Sequence, residues 1–186
     1  MRREKKNKSE FLEWVKALAV AFLIAVLVRT FLFTPIIVDG ESMMPTLEDQ
    51  DRMIVNKIGY KVDSPERFDI VVFHATEEKD YIKRIIGLPG DHIEYKNDVL
   101  YINGMEYDEP YLDQFKRQLI DPPLTEPFTL EDIIGQSTIP EGHVFVMGDN
   151  RRYSKDSRHI GTVPIGDVMG KTNLVYWPFE VMRVVD

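Results

Sequence analysis

The stretch His92-Ile93-Glu94-Tyr95-Lys96-Asn97-Asp98-Val99-Leu100-Tyr101-Ile102-Asn103-Gly104 places alternating segments on either side of Asn97-Asp98 and closes the second with Asn103-Gly104. Asn, Asp and Gly accept the positive φ that tight hairpin turns require, so these dipeptides are the strongest short-range hairpin signals in the chain. Working outward, short runs rich in Val, Ile, Tyr and Phe recur between Gly, Pro, Asn and Asp. They read as strands over Ile36–Val38, Met53–Lys57, Asp69–His74, Tyr81–Ile86, His92–Lys96, Val99–Asn103, His143–Met147 and Val168–Trp177. The expected body is mainly β, a meandering antiparallel sheet. Residues 108–140 carry Pro110, Pro122, Pro123, Pro127 and Pro140 among many acids and read as an inserted, partly mobile excursion.

Ahead of this body the pattern is helical. From Phe11 to Phe33 the residues are apolar apart from Glu13, Lys16, Arg29 and Thr30, and Ala17–Val28 is unbroken. That run alone is shorter than the roughly 20 residues a bilayer span needs, so a crossing helix requires Lys16 and Arg29 to reach towards opposite headgroup regions. No small-x-small cleavage site follows, which reads as an uncleaved anchor rather than a secretory leader. The first sixteen residues hold six basic and three acidic side chains, a net +3 that leaves −11 for the rest of a chain of net charge −8. A basic flank on an apolar segment places the N-terminus in the cytoplasm and the β body outside. The expected division is a basic tail over 1–10, a transmembrane anchor over 11–33 and an extracytoplasmic β domain over 34–186. With 186 residues there is room for one principal folded unit. The acidic body excludes a nucleic-acid footprint, and the lack of cysteine excludes disulfides, thiolate catalysis and cysteine-bound zinc.

Three segments carry candidate chemistry. Ser42 lies in Asp39-Gly40-Glu41-Ser42-Met43-Met44-Pro45-Thr46, by itself a turn of the kind serine often occupies. A nucleophile elbow would need glycine at position 44, which is Met44, so an activating base has to come from elsewhere. Lys83 lies in Tyr81-Ile82-Lys83-Arg84-Ile85-Ile86-Gly87-Leu88-Pro89-Gly90-Asp91, and strand alternation puts it on one face with Tyr81 and Ile85. Either it is an edge-strand lysine that discourages aggregation, or burial lowers its pKa from about 10.4 until it can act as a base. The third segment, Gly148-Asp149-Asn150-Arg151-Arg152-Tyr153-Ser154-Lys155-Asp156-Ser157-Arg158, follows an apolar strand. It reads either as a solvated loop or as a network in which Ser154 orients an amine while Asp149 and Asp156 pair with Arg84 or Arg158.

Together these motifs resemble the bacterial type I signal peptidases, from the apolar segment to about Gly170. The resemblance implies an antiparallel β domain of coiled sheets and a Ser-Lys dyad in which Ser42 attacks the scissile carbonyl. Lys83 takes its proton and then protonates the leaving amine, with no metal and no cofactor. It implies substrates that are signal peptides of exported preproteins, cut after small residues at the first and third positions before the bond. Membrane lipid and the export translocon are further expected partners, and nucleic acid is not. Many Gram-negative relatives place a serine two residues before the nucleophile to help hold the oxyanion. Here that position is Gly40, closer to the Gram-positive type, and the expected substitute is the Ser42 N–H with another donor. An extended substrate is expected to add as a strand between Ile36–Val38 and Tyr81–Ile86, with Ile37, Val38 and Ile82 as walls of small pockets. Met43 and Phe73 are candidates for the core or the membrane interface, as are Trp177 and Phe179, with Phe73 favouring core. Since Ser42 is nine residues beyond Phe33, it stays within roughly 30 Å of the apolar segment.

Other motifs fail on spacing. Gly170-Lys171-Thr172 lacks the glycine a phosphate loop needs at 165, which is Ile165. No serine is followed three residues later by lysine, and His74, His92, His143 and His159 show no metal spacing. Two rivals remain: a Ser-Lys self-cleaving protease, which would carry a binding arm where the apolar segment lies, and a non-catalytic β module in which Ser42 and Lys83 stand apart.

Overall fold

A computed structural model describes residues 2–57 and 64–185; the side chains of 2–9, 28, 30 and 31, including the basic cluster expected in the tail, lie outside the described residues. Helix α1 (Arg2–Phe31) is continuous, as a segment free of glycine and proline allows. It stops where Pro35 imposes extended backbone on its predecessor, and strand β1 (Phe33–Ile37) begins at once. Among the described residues no helix is long and apolar enough to cross a membrane. The physical reason is the one visible in the sequence: at 1.5 Å per residue the uninterrupted apolar run rises about 18 Å, against roughly 30 Å of hydrocarbon.

The body is antiparallel throughout. After β1 come β2 (Arg52–Asn56), β3 (Ile70–Thr76), β4 (Lys79–Gly87), β5 (Ile93–Lys96), β6 (Val99–Ile102) and β7 (Met105–Tyr107). The excursion then contributes a 3-10 turn at Pro110–Leu112, α2 (Asp113–Gln118), β8 (Phe128–Thr129) and α3 (Leu130–Ile134), before β9 (His143–Met147). Helix α4 (Ser157–Ile160), β10 (Val163–Pro164), β11 (Val168–Trp177) and β12 (Arg183–Val184) complete the chain. One sheet runs β1-β2-β11-β3-β4-β9-β10 with β12 on β11; the other runs β7-β6-β5-β8. Asn97, Asp98, Asn103 and Gly104 all have positive φ, so the two turns that announced the meander adopt the backbone their residues favour.

Three apolar clusters hold the sheets. Ile86, Ile93, Tyr95, Leu100, Leu130, Phe145 and Met147 join the small sheet to the large one. Val38, Met43, Leu47, Met53 and Val175 pack beneath the loop that carries Ser42. Val71, Phe73, Ile85, Val144 and Val146 fill the remaining face. Met43 and Phe73 are thus core, whereas Trp177 is 38 % and Phe179 66 % exposed. The excursion, expected to be partly mobile, is fastened at several points: Leu112, Leu124, Leu130 and Ile139 are buried, and Asp98 accepts from the N–H groups of Leu124 and Thr125 at 3.0 and 2.9 Å.

Candidate active site

Ser42 sits on a turn hung between β1 and β2. Val38 N–H donates to Asp51 O and Gln50 N–H to Val38 O, closing the loop at its base. Gly40, at φ +95, lets the chain reverse, and its N–H donates to Asp49 Oδ1 at 2.8 Å. Met43 and Leu47, both buried, anchor the turn from below. Thr46 Oγ1 ties it to Asp149 Oδ2 at 2.5 Å, and Asn150 N–H donates to Ser42 O at 3.1 Å. Gly148 is required here, since a Cβ at that position would collide with Ser42 O and Ser154 Oγ. The nucleophile candidate is therefore fixed on three sides, with its hydroxyl free to face β4.

Lys83 comes to it from β4. Its Nζ donates to Ser42 Oγ at 2.7 Å and to Ile82 O at 2.8 Å, and the residue is 4 % exposed. Burial pushes its amine down to about 8, against the smaller opposing pull of Asp156 and Asp149. Those carboxylates are occupied by other cations. Arg84 Nε and Nη2 bind Asp149 at 3.0 and 2.8 Å, with both side chains fully buried. Arg158 binds Asp156 at 2.9 and 2.8 Å and also donates to Arg151 O. Asp156 further caps α4 and accepts from Gly148 N–H at 3.0 Å. Burial raises its carboxyl, but Arg158 and these donors outweigh that and hold it below the usual range.

The sequence placed Ser42, Lys83, Arg84, Asp149, Ser154, Asp156 and Arg158 in one site, and all seven gather there. Ser154 makes no hydrogen bond to the amine: its Oγ is buried beside Asp156 and Gly148 without a hydrogen bond of ordinary geometry. Several residues lacked a sequence-derived role. Thr46 and Asn150 lay inside the quoted motifs, but nothing in their spacing showed that they lock the turn. Arg151 is buried between Glu109 Oε1 at 2.5 Å, Tyr95 OH and Thr125 Oγ1, stapling the loop after β9 to the excursion. A single acid in a proline-rich segment gave no signal of that.

A cleft of about 580 Å³ opens at Ser42 and Lys83, lined by Ile36, Ile37, Val38, Tyr81, Ile82 and Lys155 among others. Ile37 is exposed there, while Val38 and Ile82 also pack into the core. β1 is the edge strand of its sheet, and β4 pairs with β9 only from Arg84 onward, so both strands bring an unpaired edge to this cleft among the described residues.

Comparison with known proteins agrees with this arrangement. Residues 11–177 match the family described as signal peptidase, peptidase S26. The chain is 48 % identical over 180 residues to signal peptidase I of Bacillus caldolyticus, covering 97 % of each, and 46 % identical to signal peptidase IB of Staphylococcus aureus (strain Mu50), covering 95 % and 94 %. A crystal structure of a signal peptidase I from Enterococcus faecalis V583 superposes with a TM-score of 0.56 at 43 % identity, covering 59 % of this chain and 97 % of that one. The chain therefore belongs to the signal peptidase family, peptidase S26, as a bacterial type I signal peptidase. It is a serine peptidase whose substrates are preproteins bearing signal peptides.

Proposed function

We propose that the chain cuts signal peptides by a Ser42-Lys83 dyad. The observation that carries this reading is the 2.7 Å contact between a turn-locked hydroxyl and a buried amine whose pKa is depressed to about 8. Neutral Lys83 takes the Ser42 proton across that contact while Oγ attacks the scissile carbonyl. The resulting ammonium then protonates the leaving amine, and the signal peptide remains as an ester on Ser42. Lys83, neutral again, takes a proton from a water whose oxygen attacks the ester carbonyl and then returns that proton to the departing Ser42 Oγ, which releases the acid and regenerates the hydroxyl. Gly40 spends its N–H on Asp49, whereas the Ser42 N–H pairs with no acceptor among the described residues, and we assign it to the oxyanion. The segment before the bond adds as a strand between β1 and the first half of β4. Ile37, Val38 and Ile82 then leave room only for small side chains.

The finer placement follows the same reading: a cytoplasmic tail over 1–10, an anchor over 11–33 and a catalytic body over 34–186 beyond the membrane. Support comes from α1 itself, where Phe11, Leu12, Trp14, Leu18, Phe22, Leu23, Ile24 and Leu27 are exposed on every side. A helix apolar all round calls for a nonaqueous environment, with Lys16 and Arg29 extending to headgroups. Exposed Trp177, Phe179 and Met182 add an apolar surface for the same bilayer. The test is cleavage of a preprotein in micelles by the wild type, Ser42→Ala and Lys83→Ala, each shown to be folded by circular dichroism. Activity in the wild type alone is expected; equal cleavage by all three would end the dyad assignment.

A further inference from the structure

Beside the Ser42 turn lies a second groove of about 330 Å³ that shares no lining residue with the first cleft. Its lining combines Met44 from the Ser42 turn, Phe115 and Leu119 from and just after α2, Leu124 from the excursion and Tyr153 from the loop after β9 with the polar Glu41, Gln118, Asn150 and Arg152. Leu124 is buried, Met44, Phe115 and Leu119 are half-buried, and Tyr153 is 78 % exposed, as expected for a surface that presents its walls to solvent. The groove starts at the nucleophile, because Glu41 and Met44 flank Ser42 within two residues and Asn150 donates to both Glu41 O and Ser42 O at 3.1 Å.

We propose that this groove binds the first residues of the mature chain, those just after the scissile bond, and favours an aliphatic or aromatic side chain there. The inference rests on the dyad reading. A peptide that enters along β1 and β4 and presents its carbonyl to Ser42 continues past it, and the groove at Glu41 and Met44 receives that continuation. The excursion is held in place for the task. Arg151 is buried against Glu109 and Thr125, and Arg152, three residues beyond the Asp149 that pairs with Arg84, donates through Nε and Nη2 to Pro123 O and also to Asp121 O. The excursion that carries Phe115 and Leu119 is thereby tied to the same loop that holds the Ser42 turn through Asn150 and Asp149. A preformed, immobilised apolar wall binds without an ordering cost.

The test compares two substrates with the same signal-peptide segment. One ends in a small amide leaving group; the other continues for four residues, one of them leucine or phenylalanine. Wild-type kcat/KM is expected to be about tenfold higher for the extended substrate, the value of burying one apolar side chain. Phe115→Ser combined with Tyr153→Ser, both at solvent-reached positions, brings the ratio of the two close to 1. In the wild type, replacing the four residues by glycines does the same, a measurement that does not depend on any variant folding. A ratio that stays near ten in the variant, or with glycines, overturns the groove assignment. If Ser42→Ala cleaves both substrates, or the wild type cleaves neither, the dyad reading itself fails and the groove assignment falls with it.

Discussion

Lys83 and Arg84 are consecutive on β4, both are buried, and the strand turns them towards opposite surroundings. Lys83 meets a hydroxyl and a carbonyl, Ser42 Oγ and Ile82 O; Arg84 meets a carboxylate through two nitrogens, lies over the Tyr111 ring at 3.9 Å and donates to Phe68 O. Burial disfavours a cation in both places, but only Arg84 has an anion in contact to offset it. The amine, which can shed its proton, responds with a lowered pKa; the guanidinium, which cannot, is held as half of an ion pair. One residue is prepared for proton transfer and its neighbour for holding Asp149, which in turn holds Thr46 and the Ser42 turn.

The largest expected effect sharpens that contrast on the Lys83 side. Lys83→Arg keeps charge and bulk but removes the lone pair, so kcat should fall by roughly 10³-fold or more, as in other activated-serine enzymes that lose the base. Single-turnover cleavage of a preprotein measures it, and turnover near wild type would remove Lys83 as the base. Next comes the other kind of buried cation. Glu109→Ala strands Arg151 without its carboxylate and should cost about 3–5 kcal/mol in urea unfolding. A loss under about 1 kcal/mol would show that the excursion is not fastened through this pair.

A third prediction has the opposite sign. The folded pKa of Lys83 lies below its unfolded value, so at a pH under about 8 the fold carries the full cost of a proton it does not favour, and that cost is relieved as pH rises from 8 towards 10.5. Lys83→Met should therefore stabilise the fold at pH 6 by about 3 kcal/mol, with the difference shrinking over that window. A variant less stable than wild type at pH 6 would contradict the buried-amine account. The smallest effect is expected at Thr46. Thr46→Val removes the hydroxyl contact with Asp149 and should cost about 1–2 kcal/mol of stability, with slower cleavage as the Ser42 turn loosens. An unchanged kcat would detach Thr46 from the positioning of the nucleophile.

The turn residues made the β meander legible. Asn97-Asp98 and Asn103-Gly104 state their backbone locally, and His143–Met147 and Val168–Trp177 have the length and composition of strands without help from their neighbours. The strands that were not legible are β7, three residues long, and β8, β10 and β12, each two residues long, all defined only by the partner they meet. The start of α1 at Arg2 was equally hidden, because charged helix formers continue the helix without continuing the apolar pattern. At the site, Ser42 and Lys83 stood out only through motifs that resemble a family, since neither a turn serine nor a strand lysine is unusual alone. Glu109 and Tyr95 were invisible because their meaning comes from Arg151, 42 and 56 residues away.

The most direct test of the central claim is the titration of Lys83 Nζ in the wild-type chain, followed by NMR in micelles with isotopically labelled lysine and assigned by comparison with Lys83→Met. One amine titrating near 8, in step with the rise of kcat/KM with pH, is expected. An amine titrating at the ordinary value near 10.5, or a rate that does not follow it, would contradict the account.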